Sequence, residues 1–222
     1  MVRIAITALL TGAAVLALAG CGGGDQTANL TRKQQLEASL QTRYENPQAH
    51  YELGRIYHRE GNYLRAEFHY NVAIGFAPTF REAQAALVRA YQDSREPEKA
   101  RTAAQMYIQQ AAVSADALMA LGRAFHREGL SEYALQAYTR AQSIDPNDYL
   151  IPKQLGYFYL RQGDRVRAET ALRRSFELNP DQPDVSAELG KMGVQVQVPP
   201  RKAIDVMRLS ELEKAPADPT IK

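Results

Sequence analysis

At 222 residues the chain is long enough for one ordinary domain or a short array of repeats. Hydrophobic residues make up 45% of it and charged residues 23%, a composition that excludes a disordered chain. The formal net charge of +2 is too small for a nucleic-acid binder, and the single cysteine, Cys21, excludes an intrachain disulfide, so the fold must hold by packing alone.

Residues 1–20 read as an export signal. Arg3 gives a positive start, Ile4 to Ala19 is nearly all apolar, and small residues follow. The run is short for a bilayer-spanning helix, which needs about 20 apolar residues. Leu18-Ala19-Gly20-Cys21 then resembles the lipobox of bacterial lipoproteins. The resemblance implies cleavage before Cys21, a diacylglycerol on its thiol and a fatty acyl group such as palmitate on its new amine. Gly22 stands where an Asp would retain such a protein in the inner membrane, which implies the periplasmic face of the outer membrane. Acyl chains contribute about 0.8 kcal/mol per buried methylene, so attachment is expected to be stable. Residues 21–28, with Gly22-Gly23-Gly24-Asp25, read as a flexible tether.

From 29 to 46 the apolar positions Leu30, Leu36 and Leu40 predict a weakly amphipathic capping helix, stopped by Asn46-Pro47. An array follows over 47–193. Leu53 to Gly61 reads L-G-R-I-Y-H-R-E-G, and Leu121 to Gly129 reads L-G-R-A-F-H-R-E-G. Gly54 to Gly122 is 122 − 54 = 68, and a third copy places Gly156 at 156 − 122 = 34. A fixed period of about 34 residues marks a solenoid of helix pairs.

The first unit, about Pro47 to Phe80, carries Leu53, Gly54, Tyr57, Gly61, Ala66, Tyr70, Ala73 and Pro78. The third, about Ala115 to Asn147, carries Leu121, Gly122, Phe125, Gly129, Ala134, Tyr138, Ala141 and Pro146. In the fourth, about Asp148 to Asp181, the same places hold Leu155, Gly156, Tyr159, Gly163, Ala168, Leu172, Ser175 and Pro180. The pattern resembles the tetratricopeptide repeat. Small residues let the paired helices approach, large ones fill the space created, Gly after the first helix supplies a left-handed turn, and Pro ends the second helix. The fold expected is all-α: a solenoid of helix-turn-helix units, about four repeats plus capping helices.

The second unit, about Arg81 to Ser114, follows from the period. It has Leu87, Tyr91 and Ala100 in place, Val88 where Gly is usual, and Ala104, Tyr107 and Ala112 off pattern. Pro97 opens its second helix, where a missing N–H costs nothing. After Pro183, Leu189-Gly190 begins the pattern once more and Gly193 ends it, which predicts a short capping helix. In the extension 194–222, Val194 to Val198 alternates as a strand would, Ile204 to Leu212 suggests one more short helix, and Ala215 to Lys222 reads as disordered.

No motif supports catalysis, so no enzyme and no cofactor beyond the lipid on Cys21 is expected. The four histidines show no spacing suited to a metal; His58 and His126 lie two units apart, and His50 and His69 read as partnerless. In this repeat family the first helix of each unit lines an inner groove. Carried onto this chain, the resemblance places Tyr51, Arg55, His58 and Arg59 there, then Arg89, Gln92 and Asp93, then Met119, Arg123, His126 and Arg127, and finally Lys153, Tyr157 and Arg161. Seven of these are Lys or Arg and only Asp93 is acidic, a segregated charge on a nearly neutral chain.

Two readings of the stripe stand side by side. In one the arginines pair with neighbouring acids such as Glu60 and Glu128. In the other the groove takes an acidic or carboxylate-terminated peptide of a protein partner, with arginine forks for carboxylates and Tyr51 and Tyr157 for apolar contact. The carboxylate clamp of chaperone-binding relatives has Asn where this chain has Arg55 and Arg123, so its ligand is not carried over. The resemblance implies a scaffold for other envelope proteins, with lipoproteins of type IV or related pilus and secretin assembly as the nearest analogue; the alternative is an adaptor for peptidoglycan hydrolases or a periplasmic protease.

Overall fold

The computed structural model describes residues 31–196, and over these the chain is ten helices with no strand. They are α1 (Arg32–Thr42), α2 (Pro47–Arg59), α3 (Tyr63–Phe76), α4 (Arg81–Asp93), α5 (Pro97–Ala111), α6 (Ala115–Arg127), α7 (Ser131–Ile144), α8 (Leu150–Arg161), α9 (Arg165–Leu178) and α10 (Pro183–Lys191). Helices α2 to α9 form four successive hairpins, α1 packs on α2, and α10 packs on α9.

Local chemistry sets most helix starts. Thr31 opens α1 with a capping box closed by Gln34. Asn46 accepts from the Ala49 N–H at 3.1 Å, with Pro47 next, and Ser114 accepts from the Ala117 N–H at 3.1 Å. The turn inside each hairpin repeats one geometry. Gly61, Gly129 and Gly163 have φ of +74°, +74° and +77°, and the N–H after each reaches back to the helix, as Asn62 does to the Tyr57 carbonyl at 2.9 Å. In the second unit Arg95 occupies that place at φ +63°, held there by a 2.8 Å bond from the Glu96 N–H to the Tyr91 carbonyl.

Packing inside each hairpin turns on one small residue facing one large one. A Cβ added to Gly122 would lie 2.5 Å from the Tyr138 ring, and one added to Gly54 would lie 2.7 Å from Tyr70. Gly156 faces Leu172 in the same way, at 2.5 Å. In the second unit the bulk moves to the other helix: Val88 takes the glycine place and Ala104 the tyrosine place, both fully buried. The off-pattern second unit is therefore a volume swap inside an intact hairpin.

The apolar core runs continuously from Leu36 and Leu40 of α1 to Phe158 of α8. A smaller group of Leu172, Phe176, Val185, Leu189 and Val194 closes the far end. There Gln182, itself buried, donates to the carbonyls of Ser175 at 3.0 Å and Asn179 at 2.7 Å, tying α10 to the end of α9. The strand expected over Val194 to Val198 is absent over the described residues 194–196. Val194 is instead tucked into the terminal core, because its apolar side chain has a helical surface to bury against and no strand to pair with. The rest of that segment, the Ile204–Leu212 helix, the expected disorder of Ala215–Lys222, and Cys21 with its tether lie outside the described residues. No helix among them is long and apolar enough to cross a membrane.

Candidate binding groove

The first helices of successive units stand side by side, so residues one helical turn apart on them form a stripe. Most of the expected residues separate on it into two pockets, with Tyr51 and Met119 buried in the core and Lys153 paired outside both pockets. Tyr51 is 9% exposed, packed on Tyr70 and Phe80 with ring centroids 6.1 and 5.0 Å away, so it is core and not groove lining. Lys153 is engaged by Asp184 of α10 at 2.7 Å, and the same carboxylate accepts from the Tyr157 hydroxyl at 3.0 Å. Asp184, absent from the sequence-level candidates, thus holds two groove side chains.

The pocket between the first and second units, of about 290 Å³, is lined by Arg55, His58, Arg59, Arg89, Asp93 and Glu128, with Tyr63 and Tyr70 behind. Unlike its counterpart between the third and fourth units, it holds two carboxylates, and Asp93 is doubly engaged. His58 Nε2 donates to Asp93 Oδ2 at 2.9 Å and Arg89 Nε donates to the same oxygen at 3.0 Å. Burial alone would raise the Asp93 carboxyl, but these two bonds hold it below the ordinary range. The pairing reading therefore holds for His58 and Arg89, whereas Arg55 and Arg59 form no ion pair among the described residues and Glu60 is taken by Lys33.

The pocket between the third and fourth units, about 190 Å³, is lined by Arg123, His126, Arg127, Tyr138, Gln154, Tyr157, Phe158 and Arg161. No carboxylate lines it. Arg127 reaches Glu82 at 2.6 Å, across 45 residues of sequence. Arg123 makes no hydrogen bond or ion pair among the described residues, and the contact of the Arg161 guanidinium is to His126 Nε2 at 3.2 Å. A guanidinium only donates, so Nε2 accepts and the His126 proton sits on Nδ1. That Nδ1 is buried without a hydrogen-bond partner. Burial, and then the charge of Arg161, lower the His126 pKa, so the ring stays neutral beside the arginine.

The repeat period explains the difference between the pockets. Arg161 occupies the place that Asp93 holds two units earlier, 161 − 93 = 68, while His126 and His58 are likewise 68 apart. One histidine thus meets an acid and its equivalent meets a base. Sequence reading put Asp93 and Arg161 on the stripe but not their pairing; the swap is legible only once the histidine contact across the unit boundary is known.

His50 and His69, expected to lack partners, face each other across the α2–α3 hairpin with Nδ1 atoms 2.9 Å apart, and His50 Nε2 donates to the Tyr44 carbonyl at 2.9 Å. Nineteen residues separate them in sequence, and the hairpin folds them together. Among the described residues no three His, Cys, Asp or Glu side chains converge as a metal site would require.

No curated protein matches the chain. Solved structures similar to it include YrrB, described as a TPR protein with an unusual peptide-binding site: 18% identity over 72% of this chain and 81% of that one, with a TM-score of 0.38. MamA from Desulfovibrio magneticus RS-1 is 20% identical over 68% of this chain and 86% of that one, with a TM-score of 0.38. PilF from Pseudomonas aeruginosa is 22% identical over 73% and 72%, with a TM-score of 0.36. The profile of the tetratricopeptide repeat matches residues 33–79 and 85–149, and a second profile of the same repeat matches 154–182. With its hairpins, its glycine–tyrosine contacts and these matches in one frame, the chain belongs to the tetratricopeptide repeat family.

Proposed function

We propose that the chain is a lipid-anchored scaffold on the periplasmic face of the outer membrane, and that it receives an acidic or carboxylate-terminated segment of another envelope protein in the half of its groove between the third and fourth units. Tetratricopeptide arrays are protein-interaction scaffolds, and this one binds a protein partner. The observation that carries the proposal is the acid-free pocket holding Arg123 and Arg161, neither satisfied by a carboxylate among the described residues. Guanidinium groups in a partly dry pocket recognise carboxylates through paired, charge-assisted hydrogen bonds. Tyr157 and Phe158 beside them offer an apolar wall for the residue that precedes the carboxylate.

The lipid anchor is supported by the lipobox ending at Cys21. Assembly of a type IV or related pilus, through delivery or stabilisation of its secretin, is the pathway this architecture suits best. Crosslinked capture from native envelopes tests both points. The wild-type chain is expected to retain a partner that an Arg123→Glu, Arg161→Glu variant loses and an Arg55→Glu variant keeps. Equal capture by all three would refute the groove. A wall hydrolase or protease as the captured protein would refute the pilus assignment and leave the groove standing. Fractionation of a Cys21→Ala variant tests the anchor separately, with release from membranes expected.

A further inference from the structure

Four residues on each second helix form an outward ridge at i, i+4, i+8 and i+12, and the repeat period makes these ridges directly comparable. In α5 the ridge is Glu98, Thr102, Met106 and Gln110, in α7 Glu132, Gln136, Arg140 and Ile144, and in α9 Val166, Thr170, Arg174 and Leu178. In α3 all four are apolar: Leu64, Phe68, Val72 and Phe76. Leu64 is 79% exposed, Phe68 54% and Phe76 43%. Tyr44, 51% exposed, meets Phe76 edge-on at 6.0 Å and prolongs the ridge onto the turn after α1. The ridge runs about 18 Å along the helix, at 1.5 Å per residue. All four places are apolar in this unit only; in each of the others at least two are polar or charged and interrupt the strip, so an unbroken apolar strip of this extent points to something that covers it.

Its surroundings indicate what that is. Arg43 and Arg65 flank the two ends, and neither forms an ion pair among the described residues; Arg65 gives an N–H to the Tyr57 hydroxyl at 3.3 Å. Nearby acids are mostly engaged: Glu60 by Lys33 at 2.7 Å, Glu67 by the Tyr91 hydroxyl at 2.8 Å and Glu37 by the Tyr57 hydroxyl at 3.1 Å, while Glu45 stands exposed beside Tyr44. The start of α1 lies at the Leu64 end of the ridge, since Lys33 reaches Glu60 and sits 4.1 Å over the Tyr57 ring. Cys21 is 31 − 21 = 10 residues before Thr31, a span of at most about 35 Å when extended. Acyl chains on Cys21 therefore keep the ridge within a short reach of a lipid surface.

We infer that the α3 ridge lies in the headgroup region of the anchoring membrane, with Leu64, Phe68 and Phe76 at the acyl boundary and Arg43 and Arg65 on phospholipid phosphates. The inference rests on the lipid-anchor reading. The ridge supplies a second membrane contact that fixes the orientation of the array, which acyl chains on a ten-residue tether do not.

The chain contains no tryptophan, so a single Phe68→Trp substitution is a unique reporter. Gln136→Trp, at the equivalent ridge place in α7, is the control. The full chain is reconstituted in vesicles of phosphatidylethanolamine and phosphatidylglycerol with brominated acyl chains. Quenching of the Phe68→Trp emission at least twofold greater than that of Gln136→Trp is expected, and adding Leu64→Glu is expected to abolish the difference. Equal quenching of the two reporters overturns the inference, as does a Phe68→Trp signal that changes with envelope protein extract and not with lipid; the latter makes the ridge a protein contact. Flotation of the chain with vesicles reads the anchor independently. If the chain does not float, the anchor reading has failed, and the ridge is then tested on vesicles that hold the same chain by an N-terminal hexahistidine on nickel-chelating lipid. Equal quenching there overturns it in its own right.

Discussion

His126 Nε2 accepts an N–H of Arg161 at 3.2 Å, whereas two units earlier His58 Nε2 donates to Asp93 at 2.9 Å. The same histidine place therefore uses opposite tautomeric roles, set by whether the next unit presents a base or an acid. Arg161→Asp is expected to convert the first arrangement into the second. The His126 midpoint, now lowered by burial and by Arg161, is expected to rise, and partner affinity to fall at least tenfold. Imidazole titration by NMR reads the first effect; an unmoved midpoint would show that Arg161 exerts no electrostatic hold on the ring.

Gly122 and Tyr138 form one interlocked pair, because any Cβ on residue 122 would meet the ring at 2.5 Å. Gly122→Val is expected to lower stability by about 1–3 kcal/mol through overpacking. Adding Tyr138→Ala reproduces the Val88–Ala104 arrangement of the second unit and should recover part of that loss. Thermal melts of the single and double variants give the coupling, and a strictly additive pair would mean the two side chains do not share that space.

Arg95 holds a left-handed backbone in the turn where the other three units use glycine. An L-residue there is strained by about 1–2 kcal/mol, partly offset by the greater freedom glycine has when unfolded. Arg95→Gly is therefore expected to stabilise the array, by up to about 1 kcal/mol. A denaturant midpoint at or below that of the wild type would contradict this.

The His50–His69 pair predicts a pH dependence. His50 is pushed down by burial, and His69 is pushed down to about 4 by burial and then by His50. Both folded-state values lie below the ordinary 6.5, so the fold favours the neutral rings. Their contribution is fully present above about pH 6.5 and is lost as the pH falls toward 4, where the unfolded chain takes up the protons that the folded chain resists. His50 already donates through Nε2 and accepts through Nδ1, so protonation would set two donors against each other. His69→Gln is expected to flatten the fall in melting temperature between pH 6.5 and 4 relative to the wild type. Carboxylates titrating in the same window act on both proteins, so the difference between the two profiles is the readout.

The sequence by itself determined the helices and their period. Leu53-Gly54 and its copies, the turn glycines and the proline starts act within one helix or one hairpin, where side-chain spacing and backbone preference decide the outcome. It also placed the charged stripe on the first helices. Tertiary structure alone decided what those charges do. The Arg127–Glu82 pair spans 45 residues, His126–Arg161 and His58–Asp93 span 35, and Lys153 meets an acid on the terminal helix. Such pairings depend on how one unit is rotated on the next, which no local pattern encodes. The same holds for Tyr51, a groove residue by position and a core residue by packing, and for the two histidines joined across the first hairpin. It holds too for Val194, whose alternating sequence reads as a strand until the end of the solenoid offers it an apolar surface to cover.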